Sequence, residues 1–133
     1  METSPRSANS MRLACALTAL DVMIASGFAV AGLIKPDLVL PAGATPTDAS
    51  GVFAMYAAAR TIPLALITIL AIYNSSASVL VVLGLLAGTI QVADAAVGLL
   101  QHDIGKTVGP LFLAMLQAYA VAIFWKISKT ISN

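Results

Sequence analysis

Gly51 to Tyr73 reads GVFAMYAAARTIPLALITILAIY, and its reading decides the fold. The stretch is apolar and reaches the ~20 residues a helix needs to cross ~30 Å of hydrocarbon. It also carries Arg60 near its middle and Pro63 three residues later. An ionisable side chain inside a membrane span costs several kcal/mol unless a partner or a wet cavity answers it, so Arg60 marks a functional site by default. Pro63 removes the helical hydrogen bond to the Ala59 carbonyl and leaves a free acceptor beside the arginine. Whatever answers Arg60 must come from the rest of the chain.

The composition supports a membrane protein throughout. Of 133 residues, 59% are hydrophobic and only 10% charged, which no soluble domain of this size sustains. The fold class expected is all-α, an integral membrane four-helix antiparallel bundle. A net charge of +1 gives no reason to expect nucleic acid. One cysteine, Cys15, excludes an internal disulfide, and one histidine argues against a metal or haem centre. No cofactor is therefore expected. Residues 1–12, METSPRSANSMR, read as a disordered cytoplasmic tail, and the hydrophobic segment after them is too long for a signal peptide.

Within a membrane domain at 13–128, four spans emerge, at about 13–34, 51–73, 78–100 and 108–125. Small residues recur in them: Ala25, Ser26 and Ala29 in the first, Gly84 and Gly88 in the third. Such spacing lets backbones approach closely in lipid. It is read as internal packing, with a homodimer face as the alternative for Gly84 and Gly88. The segment Lys35 to Ser50 has three prolines and reads as an ordered loop or lid, with Thr47 or Asp48 capping the next helix. Asn74-Ser75-Ser76 is a tight turn whose glycosylation sequon lies too near the membrane for use. QHDIGKT, Gln101 to Thr107, is a short polar loop, and its likeness to a phosphate loop is chance because Leu100 stands where the earlier glycine is needed. Arg6, Arg12, Lys126 and Lys129 flank the termini, against Lys35 and Lys106 on the other side. The positive-inside rule then puts both termini in the cytoplasm. Trp125 with Lys126 is an interfacial anchor.

On a rise of ~1.5 Å per residue, Arg60, Gln91 and Gln117 lie roughly 13 Å from the loop side, Asp94 about 9 Å and Asp21 about 20 Å. Four helices are thus expected to place an arginine, two carboxylates and two amides in one layer of the outer half. Tyr56 and Arg60 are i,i+4, and Gln91 and Asp94 are i,i+3, so each pair shares a face. The simplest arrangement sets Asp21 and Asp94 either side of Arg60 in a pocket under the two loops. A buried ion network that merely holds the bundle is the bland alternative, but charge networks are poor value for stability. This one also comes with surplus polar groups: Tyr56, Gln91, Gln117 and Tyr119. His102 and Asp103 are loop residues, with His102 a candidate at the pocket mouth.

Two carboxylates and one arginine suit a reaction that needs an acid and a base together, and epoxide hydrolysis has that need. The deeper Asp21 is assigned the acid and Asp94, nearer the mouth and beside Gln91, the base. The four spans, the arginine in AARTIPLAL, the QVADA segment and the short polar loop before the fourth span resemble a family of small four-helix membrane proteins from fungi and bacteria. Some members are similar to the small epoxide hydrolases of aurovertin-, citreoviridin- and asteltoxin-type polyketide pathways. The resemblance implies opening of epoxides on a lipophilic polyene-derived substrate, with ring closure as a variant, in the endoplasmic reticulum or another endomembrane. The Asp–Arg–Asp set is also similar in kind to that of soluble limonene-epoxide hydrolases, in chemistry and not in fold. The competing class is a non-catalytic membrane subunit or a small transporter with a buried Arg–Asp pair, although no inverted repeat is visible.

Overall fold

The computed structural model describes residues 5–132, with side chains for 7–130. Four helices account for nearly all of them: α1 (Pro5–Ile34), α2 (Asp48–Tyr73), α3 (Ala77–Leu100) and α4 (Ile104–Ser132). A 3₁₀ turn, Pro36–Leu38, interrupts the loop between α1 and α2. All four helices are long and apolar enough to cross a membrane, and they form the expected antiparallel bundle. One end carries the start of α1, the end of α4 and the Asn74–Ser76 turn (the terminal end). The other carries the 35–47 loop and the Gln101–Asp103 turn (the loop end).

The helix starts follow local chemistry. Residues 5–12, expected as part of a disordered tail, belong to α1; a proline in the first turn is tolerated because its missing N–H would be unpaired there anyway. Residues 1–4 of that tail lie outside the described residues. Thr47 caps α2 through a capping box: its Oγ1 accepts from the Ser50 N–H at 3.2 Å, and Ser50 Oγ accepts from the Thr47 N–H at 2.9 Å. Helix α4 begins at Ile104 rather than Val108, because the Asp103 carboxylate accepts from the Lys106 N–H at 3.0 Å and so satisfies a donor that the first turn leaves free.

Both tight turns close in the same way. After α2, the Ser75 N–H donates to the Ile72 carbonyl at 2.9 Å and the Ser76 N–H to Ala71 at 3.1 Å. After α3, the His102 N–H donates to Leu99 and the Asp103 N–H to Gly98, each at 3.0 Å. This is the Schellman pattern, and it forces a left-handed residue, Ser75 at φ 52° and His102 at φ 54°.

Packing is uneven around the bundle. Helix α3 runs closely along α4, and α1 packs against both α2 and α4, whereas α2 and α3 share little surface. The apolar core lies toward the terminal end, where Ala14, Ala71, Leu80, Val81, Ala120, Val121 and Phe124 form one cluster. Toward the loop end the buried positions turn polar: Thr18, Asp21, Gln91 and Gln117. At the loop end itself, Lys106 Nζ donates to the Leu40 carbonyl at 2.5 Å and to Gln101 Oε1 at 3.0 Å, tying the 35–47 loop across to the α3–α4 turn.

Candidate functional site

Asp21 is 2% exposed in the middle of α1, a carboxyl group set deep among apolar helices. Gln91 Nε2, from α3, donates to its Oδ1 at 2.7 Å. One turn earlier on the same face of α1, the fully buried Thr18 accepts from Gln117 Nε2 of α4 at 3.2 Å through its Oγ1. Three helices thus meet through two amide-to-oxygen bonds. Gly84 makes room for the second, since a Cβ there would stand 2.5 Å from Gln117 Nε2 and 2.7 Å from Val121 Cγ2. The Gly84 face is therefore turned inward against α4.

The layer is not fully satisfied: Gln117 Oε1 is buried without a hydrogen-bond partner, and so, more than a turn further along α1, is Ser26 Oγ. A buried acceptor left alone costs about 1–3 kcal/mol, so these atoms are places where a water or a ligand hydroxyl gains by binding.

Arg60 and Asp94 stand elsewhere. Among the described residues the one ion pair is Lys106 with Asp103, at 3.6 Å, so the expected Asp21–Arg60–Asp94 bridge is not formed. The reason is helix rotation. Helix α2 buries Ala58, Ala65, Thr68 and Ala71, and α3 buries Gln91 and Ala95 on either side of Asp94 in sequence. Arg60 and Asp94 fall on the flanks of those ridges and are exposed.

The two flanks nevertheless belong together. Ala71 follows Arg60 by eleven residues, which is three turns and returns to within about 20° of the same line on the helix. Asp94 follows Leu83 by the same interval, on a line within about 20°. Ala71 is part of the terminal-end cluster, and Leu83 packs against it. The lines that converge there carry Arg60 and Asp94 nearer the loop end, on helices that share little surface. Arg60 and Asp94 are thus exposed on the sides of α2 and α3 that turn toward one another, the seam between these two helices. Gln91, one turn from Asp94 and about 60° around the helix, leads from that flank to Asp21 behind it.

The remaining predicted residues are dispersed. Tyr56, one turn before Arg60, is 59% exposed and belongs to the same flank of α2. Tyr119 of α4 is 56% exposed and points away from the buried layer that holds Gln117. His102 is exposed and occupies the left-handed position of the α3 cap. The sequence reading did not single out Thr18, although its i,i+3 spacing from Asp21 was a usable signal. It also missed the buried Thr68, whose hydroxyl donates to the Leu64 carbonyl at 2.8 Å.

As chemistry, the layer offers a fixed carboxyl group with one oxygen engaged by an amide, and the unpartnered Gln117 Oε1 on the neighbouring Thr18–Gln117 bond. Arg60 and Asp94 add a cation and a second carboxyl group on the exposed flanks of α2 and α3. Among the described residues no group of histidine, cysteine and carboxylate side chains is placed to hold a metal ion. Neither a protein-family model, a characterised protein nor a solved structure matches this chain.

Proposed function

We propose that this protein is a membrane-embedded epoxide hydrolase acting on lipophilic, polyketide-type epoxides that reach the α2–α3 seam from the bilayer. The observation that carries the proposal is the buried Asp21–Gln91 pair, one turn of α3 from the exposed Asp94 on the seam side that Arg60 shares. Unpaired charges in hydrocarbon are costly, so the seam favours a ligand that is apolar in bulk and polar at one point. A long-chain epoxide has that form.

In the proposed reaction Asp94 takes a proton from water as the water oxygen bonds to a ring carbon. The carbon–oxygen bond of the ring breaks, and its oxygen takes the proton of Asp21, giving a vicinal diol. The proton then returns from Asp94 to Asp21 through water. Gln91 holds Asp21 Oδ1, which leaves Oδ2 to carry the proton. Arg60 serves as the cationic donor that meets the ring oxygen as it gains negative charge across the seam. This replaces the bridging role expected of Arg60 with one that acts across a gap. The membrane in question is proposed to be the endoplasmic reticulum or another endomembrane, with both termini cytoplasmic.

The test uses the purified chain in liposomes with a long-chain aliphatic epoxide in ¹⁸O-labelled water. Diol carrying one ¹⁸O is expected, and Asp21→Asn, Asp94→Asn and Arg60→Ala should each lower turnover by about 100-fold or more. Diol formation no faster than in protein-free liposomes would end the proposal. A second function is favoured by the exposure of Arg60 and Asp94 on helices that share little surface: a non-catalytic subunit whose partner helix fills the seam and pairs both charges. That alternative predicts an inactive chain that is stabilised by its partner.

A further inference from the structure

The terminal end of the bundle carries a charge pattern that the reaction does not use. Arg12 on α1 and Lys126 and Lys129 on α4 are exposed. None of them makes an ion pair among the described residues. Helix α4 contains no acidic residue, and the nearest carboxylate on α1 is Asp21, nine residues or about 14 Å deeper. The loop end differs in kind. There Asp37, Asp48 and Asp103 outnumber Lys35 and Lys106, and Lys106 is already engaged by Asp103, Leu40 and Gln101.

The three cations lie on two neighbouring helices, at one level of the bundle. Helices α1 and α4 are packed neighbours, and Met11 and Cys15 pack into the same cluster as Phe124 and Ile123, which sets Arg12 level with Trp125 and Lys126. The other two helices contribute only the uncharged Asn74–Ser76 turn at this end, and α2 has no basic residue in its last turn. A cation that only offset a helix dipole would be expected on α2 as well. Trp125 adds an interfacial ring, with Lys129 Nζ 5.0 Å from its centroid. The patch is continuous with the apolar surface of α4, so its ligand is anionic at one end and apolar at the other.

We propose that the α1–α4 edge at the terminal end is a binding site for the headgroup of an anionic phospholipid. Arg12, Lys126 and Lys129 contact the phosphate, and Trp125 lies against the upper acyl chain. This site is independent of the proposed catalysis and rests only on the fold.

The protein supplies its own probe, because Trp125 is the single tryptophan. The full chain is reconstituted in phosphatidylcholine vesicles containing phosphatidylglycerol or phosphatidylcholine brominated on the acyl chains, and Trp125 quenching is measured against lipid fraction. Each cation near an anionic surface is worth about fivefold in affinity, so brominated phosphatidylglycerol should quench at a lower fraction than brominated phosphatidylcholine, and more weakly so in high salt. Arg12→Gln, Lys126→Gln and Lys129→Gln should each reduce that preference about fivefold, and the triple variant should remove it. The charge-preserving Arg12→Lys, Lys126→Arg and Lys129→Arg triple variant should keep it, which separates loss of charge from loss of fold. Equal quenching by the two lipids in the unaltered protein overturns the proposal. So does displacement of the anionic lipid by millimolar inorganic phosphate, which would mean a free-anion site.

Discussion

The α2–α3 and α3–α4 pairs are joined by turns of the same design, yet they pack in opposite ways. Each turn spans three residues, closes with the Schellman pattern and holds a non-glycine residue in the left-handed region. The α3–α4 pair is the most closely packed in the bundle, and the α2–α3 pair is among the loosest. The turn therefore brings helices to the same end without fixing their contact. In lipid, where apolar burial gives little drive, backbones approach where side chains are small. Helix α3 gives α4 Gly84 and Gly98, and Gly98 lies so close to the Lys106 carbonyl that no Cβ fits between them. Helix α2 turns its alanines to α1 instead, and the flanks bearing Arg60 and Asp94 stay exposed.

The largest effect on that contrast is expected from Gly98→Ala. The added methyl meets backbone, which cannot rotate away, so the α3–α4 pair must part. Overpacking of this kind costs about 1–3 kcal/mol. Gly84→Ala should cost less, because it meets the side chains of Gln117 and Val121, but it should also break the Gln117–Thr18 hydrogen bond. Gly88→Ala is the control: its Cβ would lie 3.7 Å from Gln117 Cγ, an ordinary contact, and removing a helical glycine gains up to about 1 kcal/mol. Thermal unfolding in detergent of the three variants checks the order. If Gly98→Ala unfolded with the unaltered protein, small residues would not explain why one pair packs and the other does not.

The same contrast shows what was legible in the sequence. Span count and antiparallel order followed from apolar length and turn residues, because both are local properties. So were the Thr47 cap and the inward-facing Gly84. Depth was legible too: Asp21, Gln91 and Gln117 were expected in one layer, and Asp21 and Gln91 do meet. Rotation was not. Whether Arg60 faces Asp21 depends on which neighbour claims the alanine ridge of α2, and nothing within residues 51–73 says that α1 does. Tyr119 lies only two residues after Gln117, yet a helical step of about 200° sends it to the opposite side. The early start of α4 was legible in principle from Asp103, a residue type that favours N-caps.

A smaller effect tests whether the two turns are equivalent. A left-handed conformation costs a residue with a Cβ roughly 1–2 kcal/mol, and glycine returns about 0.5–1 kcal/mol of that through its freer unfolded chain. Ser75→Gly and His102→Gly should therefore each stabilise by about 0.5 kcal/mol, and the double variant by the sum, since the sites lie at opposite ends. Unfolding midpoints give the values. Unchanged diol formation in His102→Gly would make the residue a cap component alone. A marked fall would return it to the site.

The smallest effect distinguishes the turns by charge. Asp103 receives the Lys106 backbone N–H and faces the Lys106 ammonium, and these hold its carboxyl below the usual aspartate range. A depressed folded value means that the ionised form is favoured by folding. The stabilisation is thus complete above the ordinary aspartate pKa of about 3.9, and it is lost as the pH falls through the lower folded value. Acidification in that window should loosen the first turn of α4 and release part of the hold of Lys106 on the Leu40 carbonyl, while the uncharged Asn74–Ser76 turn is unaffected. Hydrogen exchange at the Lys106 and Thr107 amides, compared with Ser75 and Ser76, reads both turns in one experiment. Protection should fall at the α4 start alone, and Asp103→Asn should remove most of that pH dependence. A parallel fall at both turns would place the acid sensitivity in the bundle as a whole, not in this cap.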